Sequence, residues 1–154
     1  MKALTVSSAG TVNLPSVTTT DGGISVTGTT INLNGSSLKT DTAATAGALS
    51  LSGNVVLKSN VTLDTDAATT DADITVSGTV LADAVGNDRT LTLTAGTGTV
   101  DLQSAVGGTT GKELKALTVS SAGTVNLYEF GLVHPKPLSG AVFFRQLFTI
   151  SGSC

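Results

Sequence analysis

The sequence predicts an all-β fold built as a single-stranded parallel β-helix of about six coils, followed by a non-repeat C-terminal tail. Three observations carry that expectation. The string KALTVSSAGTVNL occurs at Lys2–Leu14 and again, unchanged, at Lys115–Leu127. A short apolar–hydroxyl–apolar–hydroxyl strand recurs along the chain between them. Turn-forming Gly, Asn and Asp separate the strands, and no long run of helix formers is present.

The recurring strand reads LTVS at Leu4, ISVT at Ile24, LSLS at Leu49, ITVS at Ile74, LTLT at Leu91 and LTVS at Leu117. The starts are unevenly spaced, with the shortest step from Ile74 to Leu91 and the longest from Leu91 to Leu117. A second strand often follows, at Val12 and Leu14, Ile31 and Leu33, Val61 and Leu63, Val100 and Leu102, Val125 and Leu127. Period-two alternation gives each strand one buried and one wet face. One such unit cannot bury its apolar face alone, and stacking neighbours at about 4.8 Å does so. Six starts give a rod roughly 25–30 Å long at that spacing. Uneven spacing places loops of unequal length at TDTAATAG and TDAATTDAD. The competing architecture is an antiparallel β-sandwich. Its hairpin signals are sparse, since Asn34-Gly35 is the one Asn-Gly pair, and a sandwich has no reason to repeat one sequence unchanged.

Composition narrows the function classes. Charged residues are 12% of the chain, about half the usual share, and hydrophobic residues are 40%. The polar surface is therefore hydroxyl and amide more than ionic. A net charge of −3 argues against a nucleic-acid partner, which needs clustered cations. Cys154 is the one cysteine, so an intrachain disulfide is excluded and no thiolate set for a metal exists. The N-terminal MKALTVSSAG lacks the apolar core of a signal peptide. Leu138 to Ile150 is broken by Arg145 and too short for a membrane-spanning helix.

The stretches LTVSSAGTVNL, GISVTGTTINLNG and LTLTAGTGTVDLQSAVGGTTGKELKALTV resemble the repeats of filamentous haemagglutinin-like adhesins, giant secreted or surface proteins of Gram-negative bacteria. The resemblance covers Lys2 to Leu127 and includes no catalytic motif. It implies a right-handed parallel β-helix, an extracellular or cell-surface location, and a part in adhesion or biofilm. The expected partners are neighbouring repeats of a parent protein, and host-surface or extracellular polysaccharide.

The end of the chain departs from this pattern. After Leu127 the second copy reads YEFGLVHPKPLSGAVFFRQLFTISGSC where the first continues PSVTTTDGG. All the aromatics stand there: Tyr128, Phe130, Phe143, Phe144 and Phe148, with His134, Pro135, Pro137 and Cys154. Residues 1–127 are the expected solenoid and 128–154 a tail leaving the coil pattern. Three readings compete for it: a non-native end, a cap laying Phe143, Phe144 or Phe148 over the last coil, or an interaction or membrane segment. Solenoids need capped ends, which favours weighing the second.

Candidate chemistry is sparse. Asp64, Asp66, Asp71 and Asp73 form the densest acidic cluster. Carboxylates on one face serve polysaccharide cleavage in some β-helix enzymes, with or without calcium. Here no basic residue is near in sequence and no aromatic platform exists before Tyr128, so a solvated loop is expected, with no enzyme activity, cofactor or metal. Gly96-Thr97-Gly98 lacks the helix and the Lys of a phosphate loop. His134 is the one His, so no Ser/His/Asp triad can be drawn.

One constellation remains. Aligning the six strand starts gives two outward hydroxyl ladders: Thr5, Ser25, Ser50, Thr75, Thr92 and Thr118, then Ser7, Thr27, Ser52, Ser77, Thr94 and Ser120. Solenoid ice-binding proteins carry similar T-x-T arrays, and hydroxyl rows also suit carbohydrate. Only Thr92 and Thr94 make a true T-x-T, and hydroxyls also simply suit an exposed sheet.

Overall fold

The computed structural model describes residues 1–42, 44–86 and 88–130 together with the strand Leu147–Ile150; for 129, 130 and 147–150 the description is of backbone alone. The chain is all-β, with parallel strands stacked as a β-solenoid. Among the described residues every strand pairing is parallel, which removes the sandwich alternative.

The strands are β1 (Leu4–Ser7), β2 (Thr11–Leu14), β3 (Val17–Thr18), β4 (Ile24–Leu33), β5 (Ser37–Lys39), β6 (Leu49–Leu57), β7 (Val61–Asp64), β8 (Ile74–Val76), β9 (Val80–Ala82), β10 (Thr90–Thr94), β11 (Thr99–Val106), β12 (Ala116–Ser121), β13 (Thr124–Phe130) and β14 (Leu147–Ile150). The first sheet runs β1-β4-β6-β8-β11-β13, with β2 on the second half of β4 and β9 against β6 and β11. The second sheet runs β3-β5-β7-β10-β12-β14.

Apolar side chains stack inward across both sheets. In the first, Leu4, Ile24, Leu49, Ile74, Val100 and Val125 are successive partners, and the length of chain between them is nearly constant after the first, shorter coil. Ile24, Leu49, Ile74 and Val100 are fully buried. In the second, Val61, Leu91 and Leu117 stack, as do Val17, Leu38, Leu63, Leu93 and Val119. Burial of such a column is the main favourable term in the fold.

This corrects the expected alignment of the six starts. The first four, Leu4, Ile24, Leu49 and Ile74, do stack as one ladder. Leu91 and Leu117 belong to the other sheet, and Val100 and Val125 take their places. The cause is a loop that changes corners. After β5 and β7 the long connections are 40–48 and 65–73, the loops expected from TDTAATAG and TDAATTDAD. From Ala82 onward they lie instead between first and second sheet, at 83–89 and 107–115, and the return to the first sheet takes only 95–98 and then 122–123. The coil length is kept while the strand phase shifts by one face.

The bend within the first sheet needs glycine. Registers shift between Thr27 and Thr30, where Gly28, Gly53 and Gly78 lie in neighbouring coils. Gly53 has φ of 146°, and a Cβ there would meet the Gly28 carbonyl at 1.9 Å, so only glycine permits so close an approach of backbones.

The pairing runs past the sequence junction at Leu127. Strand β13 continues to Phe130, with Glu129 opposite Ala105 and Phe130 opposite Val106. Strand β14 adds to β12 in parallel, Leu117 opposite Phe148 and Val119 opposite Ile150. The expected exit from the coil pattern at Tyr128 is therefore not seen in these two stretches. Phe143 and Phe144 and the side chain of Phe148, on which the cap reading rests, lie outside the described residues, as do His134, Pro135, Pro137 and Cys154.

Candidate binding surface

The outward residues of each strand are set by the same alternation that buries Leu, Ile and Val. The first sheet brings eight of the twelve ladder residues together. Thr5, Ser25, Ser50 and Thr75 are successive partners, and so are Ser7, Thr27 and Ser52. Ser77 follows Val76, the partner of Leu51, and donates its N–H to the Leu51 carbonyl at 3.0 Å. The columns then continue in other chemistry. Thr75 pairs with Asp101, and Asp101 with Asn126.

The other four ladder residues are on the second sheet. Thr92 and Thr118 are partners there, in a column that reads Ser37, Thr62, Thr92, Thr118 and Thr149 along the backbone. Thr94 faces Ser121, not Ser120, because the register shifts after Leu93. Thr62 is a ladder member that the six aligned starts do not include; its signal in the sequence is VTLD at Val61, the second strand of its coil. The hydroxyl surface is thus two fields on two sheets, not one flat array. On the second sheet, Asp64 stands beside Thr94 and Lys39 beside Asp64, which breaks the T-x-T pattern with an ion pair.

The acidic cluster also differs from expectation. Lys39, one coil before Asp64 in the chain, is its cross-strand partner, and its Nζ lies 2.9 Å from Asp64 and 3.0 Å from Asp41. The Asp64 carboxylate, and then that of Asp41, raises the Lys39 pKa by hydrogen bonding. The absence of a nearby cation in sequence did not carry into space. At 38% side-chain exposure the Lys39 pair is screened by water and contributes modestly to stability.

Asp71 and Asp73 anchor the chain. Asp71 Oδ2 accepts the Thr97 N–H at 2.7 Å and the Thr97 hydroxyl at 2.8 Å, while Oδ1 accepts the Ala67 N–H at 2.9 Å. Asp73 accepts the Thr99 N–H at 2.7 Å. The Gly96-Thr97-Gly98 turn therefore does hold an anion: the protein's own carboxylate. Gly96, at φ 57°, is needed there, since a Cβ would strike the Asp71 carboxyl. The Thr97 backbone N–H lowers the Asp71 pKa. Burial first, then the charges of Asp71 and Asp64, raises that of Asp66. Two carboxyl groups with opposed shifts otherwise suit acid–base work, but here Asp71 has its oxygens committed to the fold.

A polar row invisible to pattern reading lies inside. Thr19, Thr40 and Thr65 are completely buried, at the corner that leaves the second sheet. Their hydroxyls donate to the carbonyls of Gly22 (2.5 Å), Gly47 (2.6 Å) and Ala72 (2.5 Å), closing each loop on itself. Their N–H groups bond to the carbonyls of Lys39, Asp64 and Thr94 in the next coil. A buried hydroxyl without a partner is costly, so each loop is tied at its neck.

Among the described residues no group of three or more His, Cys, Asp or Glu is placed to hold a metal ion. Among them, too, no helix is long and apolar enough to cross a membrane. No protein family, curated protein or solved structure matches the chain.

Proposed function

We propose that the chain is a structural and adhesive segment of a large secreted or cell-surface bacterial protein, of the filamentous haemagglutinin-like kind. In this reading it is a right-handed parallel β-helix of six coils acting as a rigid stalk. Its outward columns offer many weak contacts to host-surface or extracellular polysaccharide, and to neighbouring repeats. It is not an enzyme. The observation that supports this best is the parallel stacking of coils of near-constant length, from Leu4 to Val125, under outward polar columns. Of the acidic cluster, Asp71 and Asp73 anchor Thr97 and Thr99, and Asp64 is paired with Lys39. Weak contacts repeated along a rod gain strength by multivalency.

The test compares the chain free in solution with the chain displayed densely on beads, over surfaces coated with neutral or acidic polysaccharide. Beads should be retained, free chain should bind weakly, and no sugar should be released. Release of sugar that stops with Asp64→Asn sinks the reading, as does the absence of retention on every surface. A crystal structure tests the hand and the coil count.

A further inference from the structure

Two outward columns of the first sheet, those that begin at Thr5 and Ser7, change character at their C-terminal end. From Thr5 and Ser7 to Thr75 and Ser77 they are hydroxyls only; beyond lie Asp101 and Asn126 in one column, and Gln103 and Tyr128 next to them. Asp101 and Asn126 are direct cross-strand partners. Gln103 and Tyr128 follow Leu102 and Leu127, themselves partners, and so project from the same face. Together with Leu102, Val125 and Leu127 these residues line an open depression of about 460 Å³. Gln103 Nε2 donates to Asp101 Oδ2 at 2.6 Å, which couples the two side chains.

Tyr128 is 79% exposed, and among the described side chains it is the one aromatic ring. Leu127 packs partly buried against the core, and Tyr128, the next residue of the strand, points outward. An exposed tyrosine offers a flat apolar surface at small entropy cost. Asp101, Gln103 and Asn126 supply both donors and acceptors around it. Apolar ring face plus convergent amide and carboxylate groups is the chemistry that recognises a pyranose: its C–H face stacks on the ring and its hydroxyls take the hydrogen bonds. The carboxylate of Asp101 disfavours an acidic sugar.

We propose that Tyr128, Asp101, Gln103 and Asn126 form the anchor site for a neutral polysaccharide, which then extends along the rod over the hydroxyl columns. Successive coils stand about 4.8 Å apart, close to the advance of one pyranose unit in an extended glycan, so each sugar meets a fresh outward pair. This deepens the adhesive reading and rests on it.

Tyr128 is the one tyrosine, and the chain has no tryptophan, so tyrosine emission reports this spot alone. The chain is titrated with neutral di- and hexasaccharides of glucose, galactose, mannose and N-acetylglucosamine, and with oligogalacturonate. At least one neutral hexasaccharide should change the emission saturably and bind more tightly than its disaccharide, while oligogalacturonate should not. On beads coated with the chain, Tyr128→Ala should weaken retention on that glycan about tenfold or more, Tyr128→Phe should retain most of it, and Asp101→Asn should weaken it less than Tyr128→Ala does. A thermal melt checks that each variant is folded. Bead retention that Tyr128→Ala leaves unchanged overturns the site while the adhesive reading stands. No retention on any glycan overturns both.

Discussion

The two identical stretches, Lys2–Leu14 and Lys115–Leu127, occupy different places in the solenoid. In the first copy LTVS is β1 and TVNL is β2, both on the first sheet, and SSAG lies at the bend between its halves. In the second copy LTVS lies in β12 on the second sheet, TVNL opens β13 on the first, and SSAG turns the corner between them. Leu4 and Val6 are half-buried in one setting, whereas Leu117 and Val119 are fully buried in the other. Val12 and Leu14 are buried, while Val125 and Leu127 are partly exposed. Identical local sequence makes the same strand–turn–strand; the neighbouring coils decide which faces it joins. The length of chain from Leu4 to Leu117 is not a whole number of coils, so the second copy must arrive one face out of phase.

The largest expected effect comes from cutting the same leucine in each copy. Leu117→Ala should cost about 2–5 kcal/mol, as a cavity in a packed column does, and Leu4→Ala clearly less, because Leu4 already meets solvent. Chemical denaturation of both variants measures the gap. Equal losses would mean that the two copies are packed alike and the phase shift is absent.

Next in size is the shared glycine. A Cβ on Gly10 meets nothing within 4 Å, but on Gly123 it meets the Thr97 carbonyl at 2.3 Å. Gly123→Ala should therefore destabilise by about 1–3 kcal/mol through backbone displacement. Gly10→Ala should be neutral, or stabilising by up to about 1 kcal/mol, because it only stiffens the unfolded chain. Thermal melts of this pair read the corner directly, and a reversed order would place the turn elsewhere.

The smallest effect is pH-dependent and confined to the second copy. Its corner stacks on the turn held by Asp71: Gly123 N–H donates to the Gly98 carbonyl at 2.9 Å and Ser121 Oγ to the Gly96 carbonyl at 3.2 Å. The Asp71 pKa is lowered by the Thr97 N–H, so its stabilisation is present above the usual carboxylate range and is lost as pH falls through the lowered value. Asp66, whose pKa is raised, acts in the opposite sense: the stability tied to its protonated form is lost as pH rises through that range. Protection of the Gly123 amide against hydrogen exchange should fall on acidification more than that of Thr29, which bonds to Gly10 in the first copy. Asp71→Asn should remove the difference.

What could be read from the chain alone is whatever depends on two-residue periodicity. Alternating Leu, Ile or Val with Ser or Thr dictated strands, their inward faces and the outward hydroxyls, and the recurring pattern dictated stacking, so Leu4, Ile24, Leu49 and Ile74 fall on one ladder as expected. The loops 40–48 and 65–73 were legible from their Thr, Asp and Ala. Periodicity is blind to phase, however, because strands of both sheets carry the same alternation. Only the tertiary structure decided that the long loop moves to 83–89, that Leu91 and Leu117 lie on the second sheet, and that Ser121 rather than Ser120 faces Thr94. It alone brought Lys39 to Asp64, Thr97 to Asp71 and Tyr128 to the face of Asp101. Each of these pairs is joined by the stacking of one coil on the next, across a length of chain at which nothing local in the sequence records a contact.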